Sequence, residues 1–291
     1  MPSKKDHAFN FLKDDAALFR CPVCGGALRL AEPFVKCESG HNFTVSKKGV
    51  AVLLHTSKLK QSPIYNKALF EARRRFIGCG FYGDTHRAIA SLINNSLPPA
   101  LKEQLVLLDI GCGEGSHGRA VREALLPLPC KLVGFDLSKE SVEMAGDYLG
   151  ESAFFFVGDV TNVPMGDGQV DVALNYLSPY QTEEVLRLLA PGGLFIKVVP
   201  GNEYLAELRA LTGIKPYSGY GEGAQKITGQ MALTDTVHIT KTFALNPEER
   251  LDAYHMTPMT QNIHIDEGAI VDKLTHITID LIINCYEKTL K

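Results

Sequence analysis

A glycine-rich turn that follows directly on a buried strand limits the possible folds of this chain more than any other feature. The largely apolar run Leu105–Ile110 ends at Gly111, and glycines recur at Gly113 and Gly115 before a helical stretch, Ser116–Leu125. Because glycine lacks a Cβ atom, such a turn lets the backbone lie against a bound ligand. The order of strand, turn and helix therefore predicts an α/β fold with a ligand site at the end of this strand.

Strands and helices alternate from about residue 104 onward, which is typical of a mostly parallel sheet with helices on both faces. Two β-rich segments, Val237–Leu245 and His276–Tyr286, predict an antiparallel pair at the end of the sheet. The other predicted strands are Lys131–Leu137, Ala153–Val160, Val170–Leu177 and Leu194–Val199, and the predicted helices are Lys139–Leu149, Glu183–Leu189, Glu203–Leu211 and Asn246–Met256.

Three cysteines and one histidine near the N-terminus have the spacing of a metal site. Cys21 and Cys24 are separated by two residues, and Cys37 and His41 by three. Three thiolates and one imidazole form a closed tetrahedral set, which predicts a structural Zn²⁺. A redox Cys-x-x-Cys motif is the alternative, but it would normally follow a strand of a βαβ unit, and no such unit precedes it.

The chain divides into three regions by pattern. Residues 1–57 carry the short, glycine-punctuated runs of a small zinc-binding ribbon module. Residues 58–100 read as a helical connector, with helices predicted over Lys67–Ile77 and Asp84–Asn95. Residues 101–291 contain the α/β pattern and form the predicted catalytic domain.

Charge is distributed unevenly along the chain. Residues 1–87 contain 15 basic and 7 acidic residues, a net charge of +8, whereas residues 88–291 contain 15 basic and 26 acidic residues. A basic N-terminal third favours a polyanionic partner, although a basic solvated surface gives the same count. No apolar stretch approaches the roughly 20 residues that span a bilayer, and the N-terminus lacks a signal-peptide core. These features predict a cytoplasmic protein without a membrane partner.

The glycine turn also admits a second interpretation. The glycines at 113, 115 and 118 formally satisfy the dinucleotide pattern Gly-x-Gly-x-x-Gly. That pattern begins two residues later than the strand end requires, and it leaves Asp109 without a role. A nicotinamide dinucleotide is therefore the less favoured ligand.

The segment Asp109-x-Gly111-x-Gly113-x-Gly115 resembles motif I of the class I S-adenosylmethionine-dependent methyltransferases. This resemblance implies a Rossmann-like fold with a mostly parallel seven-stranded sheet, and S-adenosylmethionine as cofactor. It implies that Asp136 accepts the ribose hydroxyls and that Asp159 accepts the adenine amine. Pro191-Gly192-Gly193 falls where that family begins its fifth strand. The implied cofactor contacts are Asp109, Gly111, Gly113, Gly115, Asp136, Leu137, Asp159, Val160 and Asn175.

The whole chain resembles the bacterial 23S ribosomal RNA guanine-N1 methyltransferases. The zinc motif and Glu71-Ala72-Arg73-Arg74 are the specific parts of this resemblance, and Met256-Thr257-Pro258 also matches. It implies transfer of a methyl group to N1 of a guanine and ribosomal RNA as partner, and self-association as a homodimer stays open. Arg73, Arg74 and Arg75, with Lys58, Lys60 and Lys67, are the predicted phosphate contacts, and Tyr82 is predicted to stack on a base. A solvated helix face for the arginines, and core packing for Tyr82, are the alternatives.

One loop departs from the family pattern. Ser178-Pro179-Tyr180 stands where the family has Ala-Pro-Cys, and it is similar to the loop of enzymes that methylate exocyclic base amines. Because this loop faces the reacting base in that family, Asn175 and Tyr180 are the predicted catalytic residues. Ring-nitrogen transfer is favoured over exocyclic-amine transfer. A methyltransferase of a small metabolite, with the zinc module as a lid or association surface, is the competing function.

Overall fold

Parallel strands form the centre of the structure, a computed structural model that describes residues 2–54, 64–150, 152–215, 231–261, 263 and 266–289. The described strands are β1 (Leu28–Ala31), β2 (Phe34–Cys37), β3 (Asn42–Thr44), β4 (Ala51–Val52), β5 (Leu105–Ile110), β6 (Cys130–Asp136), β7 (Ala153–Val157), β8 (Val170–Tyr176), β9 (Leu189–Pro200), β10 (Met231–Ala244) and β11 (His276–Lys288). The described α-helices are α1 (Lys4–Asp15), α2 (Lys67–Gly78), α3 (Gly83–Ser96), α4 (Ser116–Ala124), α5 (Lys139–Ala145), α6 (Thr182–Leu188), α7 (Ala206–Thr212), α8 (Pro247–His255) and α9 (Glu267–Lys273).

Eight strands form one sheet in the order β10-β11-β9-β8-β5-β6-β7-β4. β5 lies between two parallel neighbours, β6 and β8, and every one of its side chains is buried. The chain winds outward in one direction through β6 and β7, and in the other through β8 and β9. The carboxyl end of β5 is therefore the switch point at which doubly wound sheets bind ligands.

The predicted antiparallel pair is confirmed, because β10 pairs with β11 in an antiparallel register and β11 lies antiparallel to β9. The expected seven strands are corrected to eight within the described part of the chain. The additional strand is β4, which comes from the N-terminal region and lies parallel to β7, with Ala51 opposite Phe156. A two-residue strand has no periodicity that sequence could reveal, so this pairing was missed.

Helix boundaries follow from local capping chemistry. α8 begins after Asn246, which forms a capping box with Glu249 and is followed by Pro247, as the Asn-Pro sequence predicts. α7 begins three residues later than predicted. Leu205 lies in the left-handed region with φ of +53°, so the preceding residues cannot belong to the helix.

The N-terminal ribbon packs into the large sheet as part of its core. β1, β2 and β3 form a small antiparallel sheet, and α1 lies beside it. The ring of Phe11 stacks on that of Phe154 in β7 with centroids 5.4 Å apart, and Phe19 meets Phe154 edge-on at 5.4 Å. The predicted boundary between residues 57 and 58 lies outside the described residues. No helix of the described part of the chain is long and apolar enough to cross a membrane.

We expect Phe154→Ala to lower the free energy of unfolding by about 3–5 kcal/mol, because it removes the ring that two ribbon phenylalanines contact. Urea unfolding followed by circular dichroism measures this change. Phe34→Ala removes a ring that is 37% exposed and should alter the stability by no more than about 0.5 kcal/mol. Equal effects of the two variants would show that the Phe154 contact does not anchor the ribbon.

Candidate active site

The turn after β5 is shaped by glycines in the left-handed region. Gly111, Gly113 and Gly115 have φ angles of +70°, +54° and +86°. A Cβ atom on Gly111 would lie 2.5 Å from the Oγ of Ser178. A side chain at this position would therefore clash with Ser178 and would strain the backbone. The turn is therefore fixed against the loop that follows β8.

Asp136 stands at the end of β6, beside the same turn. Its carboxylate accepts hydrogen bonds from the backbone N–H of Gly113 at 3.0 Å and of Ser138 at 2.8 Å. Burial raises the pKa of Asp136, and these N–H groups oppose that rise by stabilising its charged form. The neighbouring Leu137 is 42% exposed, which leaves an apolar surface next to the carboxylate.

Asp159 is also placed at this edge of the sheet, but the strand before it is shorter than predicted. β7 ends at Val157, and the Asp159 carboxylate accepts from the N–H of Thr161 at 2.8 Å. Asp159 and Val160 are both partly buried. The predicted cofactor carboxylates thus lie at the ends of adjacent strands.

Asp109 is almost fully buried, and its Oδ2 has no hydrogen-bond partner among the described residues. Burial raises its pKa to about 7. The backbone N–H of Gly118 lowers the pKa of Asp109 against this rise. S-adenosylmethionine fits this edge of the sheet, because the glycine turn offers a backbone surface and Asp136 offers a carboxylate that can accept hydrogen bonds.

Asn175 differs from the prediction that it contacts the substrate. Its side chain is completely buried, and the two N–H groups of its Nδ2 are shared among three oxygens, the carbonyl of Ile110 at 3.1 Å, the Oγ of Ser178 at 2.6 Å and the carbonyl of Pro179 at 3.1 Å. Leu177 between them has a φ of +52°, a strained conformation for a leucine. Asn175 is therefore a positioning residue that holds the loop after β8 against the end of β5.

Lys197 lies under this loop and was missed by sequence reasoning. Its ammonium donates to Asn175 Oδ1 and, at 3.0 Å, to the carbonyl of Ser178, and it lies 5.1 Å from the ring centre of Tyr180. Burial lowers the pKa of Lys197 to about 8. The available signal was a single lysine inside the otherwise apolar strand Leu194–Val199. Tyr180, the second predicted catalytic residue, packs its ring against Phe195 at 5.2 Å.

The prediction that Tyr82 stacks on a base is corrected. Tyr82 is only 2% exposed, and its hydroxyl hydrogen-bonds that of Tyr204 at 2.9 Å. It belongs to an aromatic cluster in which His117 stacks on Tyr176 at 3.7 Å and bonds His86 at 2.9 Å. Burial lowers the pKa of both histidines, that of His86 to about 4, so both imidazoles are neutral at pH 7.

The run Arg73–Arg75 is not a free phosphate-binding face, which corrects a second prediction. Arg74 pairs with Asp147 at 2.6 Å and Glu114 at 3.3 Å, and Arg75 pairs with Asp252 at 2.6 Å. Arg73 donates twice to the carbonyl of Met256, at 2.9 and 3.0 Å. These partners lie far away in the sequence, so the sequence alone could not reveal them.

The four predicted metal ligands converge. The ligand atoms of Cys21, Cys24, Cys37 and His41 all lie within 4.8 Å of one another. The Nδ1 of His41 is 3.6 Å from the sulfur of Cys21 and 3.3 Å from that of Cys37, and the sulfurs of Cys24 and Cys37 are 3.7 Å apart. A tetrahedral Zn²⁺ places such atoms about 3.5–3.8 Å apart.

We expect Lys197→Met to remove a pH dependence of stability. The folded-state pKa of about 8 lies below the value of about 10.4 for an unfolded lysine. Between these values the unfolded chain binds more protons, so the free energy of unfolding of the wild type should rise with pH by up to about 1.4 kcal/mol per unit. Urea unfolding from pH 8 to about pH 10 measures this rise. The matched control Lys67→Met replaces an exposed lysine, so the rise in unfolding free energy with pH should persist in this variant. A rise that persists in Lys197→Met would assign it to other groups.

Comparison with known proteins agrees with this architecture. Residues 107–193 match the family model described as a methyltransferase domain. The crystal structure of the YcgJ protein from Bacillus subtilis has a TM-score of 0.50 to this chain at 17% identity, and it covers 71% of this chain and 100% of YcgJ. At that identity the match shows the fold alone.

Two relatives extend over most of the chain. YxjB of Bacillus subtilis (strain 168), which bears a provisional name as a 23S rRNA (guanine-N1) methyltransferase, is 34% identical over 92% of this chain and 96% of its own length. The 23S rRNA (guanine(748)-N1) methyltransferase of Streptomyces fradiae is 30% identical over 72% of this chain and 73% of its own length. This chain therefore belongs to the 23S rRNA (guanine-N1) methyltransferase family and is an S-adenosylmethionine-dependent methyltransferase of the class I fold.

Proposed function

We propose that this protein transfers a methyl group from S-adenosylmethionine to N1 of a guanine in 23S ribosomal RNA. The observation that carries the proposal is the 34% identity to YxjB, because it extends over 92% of the chain and is not confined to the methyltransferase domain. An RNA substrate of this kind also favours a cytoplasmic location.

The loop after β8 supports a ring nitrogen as the target. Enzymes that methylate exocyclic amines need a side-chain or backbone acceptor for the amine hydrogens. In this protein the Oδ1 of Asn175 already accepts from Lys197, and its Nδ2 is engaged with carbonyl and hydroxyl oxygens. The amide is therefore committed to the loop itself, which argues against the exocyclic-amine alternative.

The chain has to position the guanine and accept one proton. The cofactor supplies an electrophilic methyl group, and the protein mainly holds the two reactants in line and excludes water. Guanine N1 carries a proton that must leave as the methyl arrives. His117, on the helix that begins directly after the glycine turn, is a poor acceptor for this proton, because burial lowers its pKa well below its ordinary value.

The zinc ribbon is the proposed RNA contact. Arg29 and Lys47 are exposed, and Lys36 lies 5.6 Å from the ring centre of Phe34, itself 37% exposed. An exposed aromatic ring beside cations can stack on an unpaired base while the cations neutralise phosphates. Lys58 and Lys60, also predicted to contact RNA, lie outside the described residues.

We expect the purified protein to methylate 23S ribosomal RNA taken from cells that lack the gene. The measurement is transfer of radiolabel from the cofactor, followed by digestion and identification of the labelled nucleotide as N1-methylguanine. Asp136→Asn is the matched inactive control, because it keeps the side-chain shape and removes the acceptor charge. Label found only in small molecules would refute the RNA assignment and support the metabolite alternative.

We also propose that Cys21, Cys24, Cys37 and His41 hold a structural Zn²⁺. The distances between their ligand atoms suit one tetrahedral ion, and all four positions are filled by protein ligands. The ribbon has a small core of its own, so bound metal would contribute much of the free energy that keeps it folded.

Removal of the metal should unfold the ribbon. We expect about one zinc per chain by metal analysis, and a loss of several kcal/mol in unfolding free energy on strong chelation. Cys24→Ser should lose the metal, whereas the matched variant Cys79→Ser, at an exposed cysteine outside the cluster, should keep it. An unchanged zinc content in Cys24→Ser would contradict this ligand set.

A further inference from the structure

Arg73 differs from its two neighbours in the kind of partner it has. Arg74 and Arg75 each pair with carboxylates, at 2.6 Å to Asp147 and to Asp252. Among the described residues, Arg73 has no carboxylate partner. Its Nε and Nη2 donate to a neutral carbonyl, that of Met256, and its guanidinium lies 5.4 Å from the ring centre of Phe70. Asp136 and Glu114 lie near enough for the charge of Arg73 to lower their pKa values, but among the described residues no carboxylate forms an ion pair with its remaining N–H groups.

The free edge of this guanidinium lies against the cofactor turn. A Cβ atom on Gly113 would be 3.9 Å from the Nη1 of Arg73 and 3.5 Å from Phe70. The positive charge of Arg73 also lowers the pKa of Asp136, against the rise that burial causes. α2 therefore presents two arginines to this turn, of which Arg74 already pairs with Glu114 and Arg73 pairs with no described carboxylate.

The charges of the cofactor decide which of its parts can face this cation. S-adenosylmethionine carries a sulfonium, an ammonium and a single carboxylate. An arginine beside either cationic group would repel it, whereas a carboxylate matches the guanidinium in charge and in fork geometry. The neighbouring carboxylate of Asp136 is held by two backbone N–H groups and is the predicted ribose acceptor.

We propose that Arg73 binds the carboxylate of the methionine moiety of S-adenosylmethionine. This inference rests on the proposed cofactor site and adds a residue to it that the resemblance did not assign. The carbonyl of Met256 holds two N–H groups of the guanidinium, so Nη1 is oriented before the cofactor arrives. Two segments that match the family, Ala72-Arg73-Arg74 and Met256-Thr257-Pro258, are thus joined by the hydrogen bonds from Arg73 to Met256.

A pair of ligands that differ only in the carboxylate tests this assignment. S-adenosylhomocysteine and its decarboxylated form share the adenosine, a neutral sulfur and the amine. Isothermal titration of the full-length protein, without RNA, gives a Kd for each ligand. We expect Arg73→Gln to raise the Kd of S-adenosylhomocysteine by about 10- to 100-fold. The Kd of the decarboxylated ligand should change by less than about 3-fold. Arg73→Lys keeps the charge and loses the paired N–H groups of the guanidinium. Its Kd for S-adenosylhomocysteine should lie between those of Arg73→Gln and the wild type.

Two further variants separate this role from others. Asp136→Asn should weaken both ligands equally, because both carry the ribose. Lys67→Gln removes an exposed cation from the same helix and should weaken neither. Equal losses for both ligands in Arg73→Gln would overturn the proposal, since that pattern means a damaged site. Unchanged affinities would also overturn it, and a weakened RNA complex of the same variant would then assign Arg73 to a phosphate.

The binding comparison contains no RNA, so it is independent of the guanine assignment. A protein that fails to methylate 23S ribosomal RNA can still show the selective loss in Arg73→Gln. A wild type that binds neither ligand would instead refute the cofactor site itself. The two proposals therefore fail in different measurements.

Discussion

The carbonyl group of Ile110, at the buried end of β5, joins the two loops on which the candidate active site depends. It accepts hydrogen bonds from the Asn175 amide at 3.1 Å and from the Ser178 hydroxyl at 2.6 Å. The glycine turn and the loop after β8 therefore cannot move independently. Lys197, on β9, donates a hydrogen bond to the Oδ1 of the same amide, and this bond joins β9 to the network. Buried networks of this kind keep reacting groups in place, and they tolerate few changes because each member satisfies the next.

The N-terminal region is bound to this edge by packing and by charge. Phe11 and Phe19 contact the sheet through Phe154, and Lys4 of α1 pairs with Asp147, which in turn pairs with Arg74. Arg74 also forms an ion pair with Glu114, which lies within the glycine turn. RNA bound to the ribbon, as proposed, would therefore be held by a segment that is itself joined to the glycine turn.

Much of the fold could be predicted from sequence, because its signals are local. Long apolar runs marked the parallel strands, and the Asn-Pro pair marked the start of α8. The cysteine spacing identified four groups that do converge. The two-residue strand β4 was beyond reach, since its pairing with β7 depends on a chain segment about a hundred residues away. Lys197 was overlooked because a lysine within a strand can point to solvent as well as to the interior.

The sequence by itself determined the glycine turn, the carboxylates that follow the strands and the cluster of three cysteines and one histidine proposed to hold a metal, because each is encoded within a few residues. The tertiary structure alone decided which charged and aromatic groups remain available. Arg74, Arg75 and Tyr82 appeared suited to RNA, but folding gives each of them a partner from a distant segment. Arg73 is the exception, and its position against Gly113 follows only from how α2 packs. The physical reason is that charge pairing and burial depend on distances in space, which spacing along the chain does not fix.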